Sequence, residues 1–474
     1  MSEEPADDDA QRILPATRSQ ACQLATVVDG ELRSVAIGTT SDGEPYRADH
    51  LAPAYCMSRI PLLGTLLVLI GDGAVDPEAP VGRYASLPYL DPSATVLDVV
   101  DHRAGLTTPD VLTWRMAAPE QRPALLPDAA LPPAFGYSDL LSNLVVSAVI
   151  EAVAAVPAGD VVEECLISPA GASGHVRYGV DGAEVHPAVA GLPHTVVPLL
   201  SERLADQIAD VAPATGVYAS AEGLARVLAW LFLDGPGAHN RRHRVVAAAR
   251  PAEWDPVLGR PASYAYGFMS DLAGHGLHGP SSASFGHLAA IAGWVAAVEP
   301  DERSVQVGYA NGVLISEQDG WRVRNVLAAA MSGDWARIGV DPAPLPGDDA
   351  GLGPWRTEPF AGLTDLVGAQ VLPAECAFTV DIHLTDTDVH ATLDFGAGAL
   401  RGIHEPTAGT AGDVSLSADR AVLEAWLHDP STRLGAVMSN GRLVADGALW
   451  YLSALEYWAA YAADVALATG RTQR

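Results

Sequence analysis

The sequence predicts a mixed α/β (α+β) chain in two parts, a larger unit over 14–340 and a smaller α/β unit over 355–474. Three observations predict it. Strand-like segments gather at both ends of the first 340 residues and helix-like ones lie between them, the segregated pattern of α+β folds. The stretch DPAPLPGDDAGLGP at 341–354 is rich in Pro, Gly and Asp and reads as a linker. A chain of 474 residues also exceeds what one compact core usually organises, so two domains are expected.

Taken in order, residues 1–13 read as a disordered acidic tail. Gln23 to Thr39 alternates apolar and polar around Asp29-Gly30, a strong hairpin signal. Ile60 to Ile70 is an apolar helix that stops at Gly71-Asp72-Gly73, as helices stop at glycine. Pro61 belongs to the first helical turn and puts its start near Met57 or Ser58, with Ser58 as the expected N-cap. A Pro-rich stretch over 119–133 is loop, and Tyr137 to Val156 is helical with Leu140, Leu141, Val145, Ala148 and Val149 on one face. Ser220 caps a helix to Leu233 with Glu222 in its first turn. From Tyr266 to Val313 strands predominate, and a helix covers 320–331. Beyond the linker, CAFTVDIHL and VHATLDFG read as strands, ADRAVLEAWLH as a helix, and about 447–468 as an amphipathic helix rich in Trp and Tyr.

Composition removes several function classes. The hydrophobic share of 49% with 18% charged residues is that of a globular chain. Net charge is −30, from 58 acidic residues against 28 basic ones, every one an arginine. Such a surface repels nucleic acid and anionic membranes, so neither is an expected partner. The absence of lysine beside abundant Ala, Gly, Pro and Arg reads first as GC-rich coding bias and second as adaptation to salt. Cys22, Cys56, Cys165 and Cys376 form no C-x-x-C pair, and no His/Asp/Glu cluster shows metal spacing, so no metal and no cofactor are expected. The polar acidic start is unlike a signal peptide, and the apolar run at 60–70 falls short of the roughly 20 residues that span a bilayer. The expected location is cytoplasmic.

The motifs carry more. TSDGEPYRADHLAPAYCMSR leads into the apolar helix, which ends in LLVLIGDGAVDPEAPVGRY. VLDVVDHRAGL follows at 96–106, then PAFGYSDLLSNLVVSAVIEAV, then SFGHLAAIAGWVAAVEP. In this order they resemble the serine β-lactamase/penicillin-binding protein superfamily, in its class C β-lactamase and esterase branch. The resemblance covers the first 340 residues and implies one helix-flanked antiparallel sheet built from both ends of that stretch. It places Cys56 in the serine slot of Ser-x-x-Lys and Arg59 in the lysine slot. Tyr137 and Asp139 fall on Tyr-x-Asn, and His287-Leu288-Ala289 on the third motif.

Each motif departs from the family pattern. Arginine is not deprotonated in a protein, so Arg59 supplies no general base. The family positions of Arg59 and Asp139 are neighbours, and a guanidinium and a carboxylate there are expected to pair. Cys56 is the expected nucleophile, since a thiolate needs less help from a base than a hydroxyl and is favoured by a helix N-terminus, a guanidinium and an imidazolium. Tyr137 is the expected proton-transfer group, with His287 beside the thiol. The backbone N–H groups of Cys56 and Ala290 are the expected oxyanion donors. Ser58 is a minor alternative nucleophile. His102 is expected to pack in a core or loop, and His275 and His278 to face solvent near the third motif.

Residues 355–474 loosely resemble a sterol-carrier-protein-type domain, with a lipocalin-like barrel as competitor. The stripe Tyr451, Leu455, Trp458 and Ala462 reads as core before it reads as a lipid contact, and Trp426 and Trp450 line a tunnel or simply pack. The expected function is cytosolic acyl transfer or hydrolysis of an ester, thioester or amide through an acyl-cysteine, with a small-molecule acyl substrate. The alternative is a retired or repurposed fold, a binding protein or non-covalent cyclase. The oligomeric state is left open.

Overall fold

The computed structural model describes residues 13–14, 19, 21–40, 43–106, 130–138, 140–178, 216–258, 260–270, 272, 281, 283–289, 293–311, 326–327, 330–331, 361–364, 366–374, 376–406, 412–423, 443–447, 451, 454–455, 458–459 and 462. The 341–354 linker, His275, His278, Trp426 and Trp450 lie outside these.

The hairpin forms as its sequence requires. Strands β1 (Ala21–Val28) and β2 (Glu31–Gly38) are joined by Asp29 and Gly30 at φ 52° and 81°. Positive φ at both central residues is the tight-turn geometry that matches strand twist, and Asp-Gly is suited to it. The late strands are β3 (Tyr264–Ala265), β4 (Phe268–Ser270), β5 (Phe285–Ala289), β6 (Gly293–Glu299) and β7 (Ser304–Ala310). The seven form one antiparallel sheet in the order β2-β1-β7-β6-β5-β4-β3, with Cys22 opposite Ala310. The two ends of the first 311 residues therefore close a single sheet, the helix-flanked antiparallel arrangement expected.

Alternation along the strands separates two apolar clusters. Trp294, Ala296 and Val298 of β6 join Val305 and Val307 in the larger one, with α1 (Arg59–Gly71), α2 (Leu140–Ala154) and α3 (Ala221–Ala229). Val295 and Ala297 point the other way, onto Val326, Leu327 and Ile13. Covered on both faces, β6 is buried throughout. Ile13, the last residue of the expected tail, is helical and fully buried, because its apolar side chain joins the second cluster.

Two helix ends test the capping rules. Ser220 accepts the Gly223 N–H at 3.0 Å, as expected of an N-cap. Ser58 does not cap. A 3₁₀ turn, Tyr55–Ser58, runs straight into α1, so Ser58 has helical dihedrals, makes no capping bond and is fully buried. The helical run starts at Tyr55, two or three residues ahead of the expected Met57 or Ser58.

A second sheet is built from β8 (Phe378–Leu384), β9 (Val389–Gly396), β10 (Ala399–His404), β11 (Val414–Ala418) and β12 (Leu443–Gly447), in the order β10-β9-β8-β11-β12. Only the β8/β11 pair is parallel among these neighbours. Its inner face, including Phe378, Val380, Ile382, Leu393 and Phe395, packs on the helical residues Leu455, Trp458, Ala459 and Ala462. The aromatic stripe is core. Among the described residues no single helix is long and apolar enough to cross a membrane.

Trp294 joins the main sheet to the segment before α1: its Nε1–H donates to the Pro53 carbonyl at 2.9 Å, and both residues are buried. Trp294→Phe should leave that carbonyl without its donor and lower stability by roughly 1–3 kcal/mol, read by denaturant unfolding. An unchanged midpoint would show that the bond contributes nothing.

Candidate functional site

The expected site residues come from three separated segments, and the fold places most of the described ones together. Cys56 lies in the 3₁₀ turn at the start of the continuous helical run to Gly71, 8% exposed and within the larger apolar cluster. That turn packs against β5, the strand that carries His287. The approach to the turn is pinned, since Ala52–Pro53 pairs with Val217–Ala219 and the Ala54 N–H donates to the Val217 carbonyl. His287 is 1% exposed, and its Nε2 lies 3.2 Å from the Tyr137 hydroxyl. Tyr137, just ahead of α2, is stacked near His287 with ring centroids 6.1 Å apart.

Arg59 is fully buried. Its Nη1 donates to the Ser138 carbonyl at 3.0 Å and to Ser142 Oγ at 2.8 Å, and its Nη2 to the Val100 carbonyl at 3.4 Å. The guanidinium also sits 5.9 Å from the centre of the Tyr137 ring. Among the described residues its hydrogen bonds all go to neutral oxygens. Asp139, its expected partner, and Ala290, the expected second oxyanion donor, lie outside the described residues.

Ser58 contributes no nucleophile geometry, because its buried Oγ has no hydrogen-bond partner among the described residues to take a proton. His102 is structural, as expected, but specific in its role. At φ 59° it turns the chain, and its Nδ1 accepts the Ser138 N–H at 3.0 Å. Burial holds its pKa well below the ordinary histidine value, aided by the Arg59 charge, so the ring stays neutral.

Two carboxylates had no place in the sequence reading. Asp255 Oδ2 accepts the Tyr137 N–H at 3.0 Å and the Tyr264 hydroxyl at 3.3 Å, while Oδ1 accepts the N–H groups of Val257 and Leu258. Asp101 accepts the Gly267 N–H at 3.0 Å. Gly267 has φ 81°, and a Cβ there would fall 2.7 Å from Leu63 Cδ1 and 3.1 Å from Arg59 Nη2. Asp-Pro at 255–256 does signal a turn, but nothing local says that the turn's carboxylate holds a tyrosine 118 positions away. No metal spacing is legible in the sequence, yet one candidate cluster forms in space. His383, Asp388 and His390 converge on the second sheet, because strand register, invisible as sequence spacing, sets them opposite one another.

Asp255→Ala should strand several buried donors at once, lowering stability by roughly 3 kcal/mol in denaturant unfolding and loosening Tyr137. Wild-type stability would show that solvent replaces the carboxylate. Burial pushes Asp101 up to about 7, against the opposing pull of the Gly267 N–H and of Arg250, Arg103 and Arg59. A carboxyl raised from its ordinary 3.8 keeps a proton when folded that the unfolded chain has lost, so its contribution to stability falls as pH rises from about 4 to about 7. Asp101→Asn cannot ionise, so its Tm relative to wild type should be higher at about pH 8 than at about pH 5. Parallel Tm curves would reject the shift.

The fold has known counterparts. The family VIII carboxylesterase crystal structure superposes with TM-score 0.51 at 18% identity, over 68% of this chain and 97% of that one. The D-amino acid amidase from Ochrobactrum anthropi SV3, complexed with L-phenylalanine amide, gives TM-score 0.54 at 19% identity over 68% and 97%. The structure of SurE with D-Leu gives 0.54 at 20% identity, over 86% of this chain and 92% of that one. These likenesses establish the fold. No curated protein matches the chain by sequence. The Beta-lactamase family model matches residues 11–330, about two thirds of the chain, and the chain belongs to that family.

Proposed function

We propose that this chain is an acyl-transfer enzyme, an acyltransferase or hydrolase of a small ester, thioester or amide, with Cys56 as nucleophile. The observation that carries the reading is the 3.2 Å contact of Tyr137 with His287, on a strand packed against the turn that holds Cys56. Its carboxylesterase and amidase neighbours are named for acyl chemistry of this kind.

In the proposed reaction the Cys56 thiol passes its proton to the Tyr137–His287 pair as the sulfur attacks the acyl carbon, and the oxyanion rests on the backbone N–H groups of Cys56 and Ala290. The carbon–leaving-group bond breaks as the leaving atom takes a proton from the Tyr137–His287 pair. Water, an amine or an alcohol then attacks the thioester and gives its proton to the pair, which passes it to the departing Cys56 sulfur and releases the thiol. Arg59 holds shape and charge, with Asp139 as its proposed partner, and serves as no base. We place the reaction in the cytosol and in small-molecule biosynthesis. Reduced thiols suit the cytosol, and all four cysteines are outside disulfides.

We also propose the division into a tail, a catalytic domain over 14–340, a linker over 341–354 and a domain of sterol-carrier type over 355–474. The β10-β9-β8-β11-β12 order, the helical turn after β11 and the helical residues beyond β12 support the last. A barrel would need strands where that helix packs.

One observation favours a second reading, a binding protein or non-covalent cyclase: Cys56 is only 8% exposed and sits among apolar side chains. Intact-mass analysis after incubation with simple acyl esters and thioesters separates the two. We expect one acyl group on Cys56, loss of turnover in Cys56→Ala, and nearly as poor turnover in Cys56→Ser, since no lysine exists to activate a hydroxyl. Iodoacetamide should label Cys56 before Cys22, Cys165 or Cys376. Burial pushes the Cys22 thiol up to about 12 and raises that of Cys165 as well. Full activity in Cys56→Ala would end the acyl-cysteine mechanism. No labelling and no turnover would favour the binding protein.

A further inference from the structure

The β8–β9 hairpin carries an arrangement that the acyl chemistry does not use. Period-two alternation sends Phe378, Val380, Ile382 and Leu384 into the second core and leaves Thr379, Asp381 and His383 on the outer face. In β9, Ala391, Leu393 and Phe395 are buried, and His390, Thr392 and Asp394 share that outer face. Antiparallel register sets His383 directly opposite His390. Their rings lie parallel, with centroids 4.1 Å apart and planes 4° from each other.

The connecting turn adds a third group. Asp388 has φ 52°, a left-handed conformation that Asp tolerates better than most residues, and the chain curls back there. Its Oδ1 lies 3.2 Å from His383 Nε2 and 3.4 Å from His390 Nε2. All three ligand atoms fall within 4.8 Å of one another. Bonds of about 2.0–2.1 Å around a tetrahedral zinc place neighbouring ligand atoms roughly 3.3 Å apart, so both carboxylate–imidazole distances already equal a tetrahedral edge. Two imidazoles facing in parallel cannot hydrogen-bond each other, and a cation between their Nε2 atoms and the carboxylate would join all three.

We propose that His383, Asp388 and His390 form a binding site for a divalent transition metal, zinc first among them. Two imidazole nitrogens with one carboxylate suit zinc, nickel or copper and do not suit calcium or magnesium, which take oxygen sets. Three protein ligands leave a coordination position for water. With side-chain exposures of 35%, 89% and 51%, the ion would enter and leave freely, and it would clamp the hairpin beside its turn. Affinity in the micromolar range is the expectation for so open a site.

The test is calorimetric titration of the full, chelator-stripped chain with zinc alone. We expect one ion bound in the micromolar range, with His383→Asn and His390→Asn each weakening it by at least about tenfold. His239 and His243, one helical turn apart with centroids at 6.5 Å, are the competing pair, and their replacement by Asn should leave that binding unchanged. A readout on the unaltered chain guards against a variant that fails to fold. Zinc should slow diethyl pyrocarbonate modification of His383 and His390, mapped by mass, and leave His239 and His243 at their original rates. Absence of binding below the millimolar range, binding that survives the His383/His390 double substitution, or equal modification rates with and without zinc would each overturn the proposal.

Discussion

The site depends on one buried guanidinium. Removing a charge from water costs several kcal/mol unless hydrogen bonds replace the lost hydration. Arg59 largely meets that requirement by reaching two segments at once, Val100 at the end of the short helix Val96–Val100 and Ser138 with Ser142 at the head of α2. Those contacts fix where the chain passes just after Tyr137. The neutral His102 ring accepts the Ser138 N–H, which ties the same segment from the opposite side. Gly267 lets its turn close against the guanidinium where a side chain would not fit. A lysine has one compact cationic tip and could not brace two carbonyls and a hydroxyl in the fixed directions of a planar guanidinium, so Arg59 acts as a scaffold.

With Arg59 unable to accept a proton, the proposed chemistry rests on what remains. Tyr137 and His287 touch, and either can carry the proton between them. His102 is held neutral by burial and its Nδ1 is already occupied, so it orients rather than transfers. Asp101 and Asp255 are both raised by burial; Asp101 accepts the Gly267 N–H, and Asp255 accepts three backbone N–H groups and the Tyr264 hydroxyl, which makes them fixtures of the loops around Tyr137. A thiol at residue 56 is chemically consistent with such a site, because sulfur needs proton removal less than a hydroxyl does.

What could be read from the sequence was local. Asp29-Gly30 specifies its own turn, Ser220 its own cap, and the apolar stretch to Gly71 its own helix and stop. The motif order also brought Tyr137 and His287 to one place, 150 positions apart. Ser58 shows the limit of local rules: a serine before a proline-bearing helix has the composition of a cap, but the preceding residues are themselves helical and bury it. Asp255 and the His383–His390 pair were hidden for a different reason. Their partners are chosen by tertiary packing and strand register, and neither leaves a recurring spacing in the sequence.

The two cores meet at a consequential residue. Trp254 packs against the second apolar core, and the next residue in the same short strand is Asp255, which holds the Tyr137 backbone and the Tyr264 hydroxyl. Because adjacent strand residues point to opposite faces, one side chain faces the second unit while its neighbour faces the site. Any shift of the second core against Trp254 would therefore reach Tyr137 through a single peptide unit and a buried carboxylate. The small sheet is mechanically connected to the proposed proton carrier even though it contributes none of its chemistry.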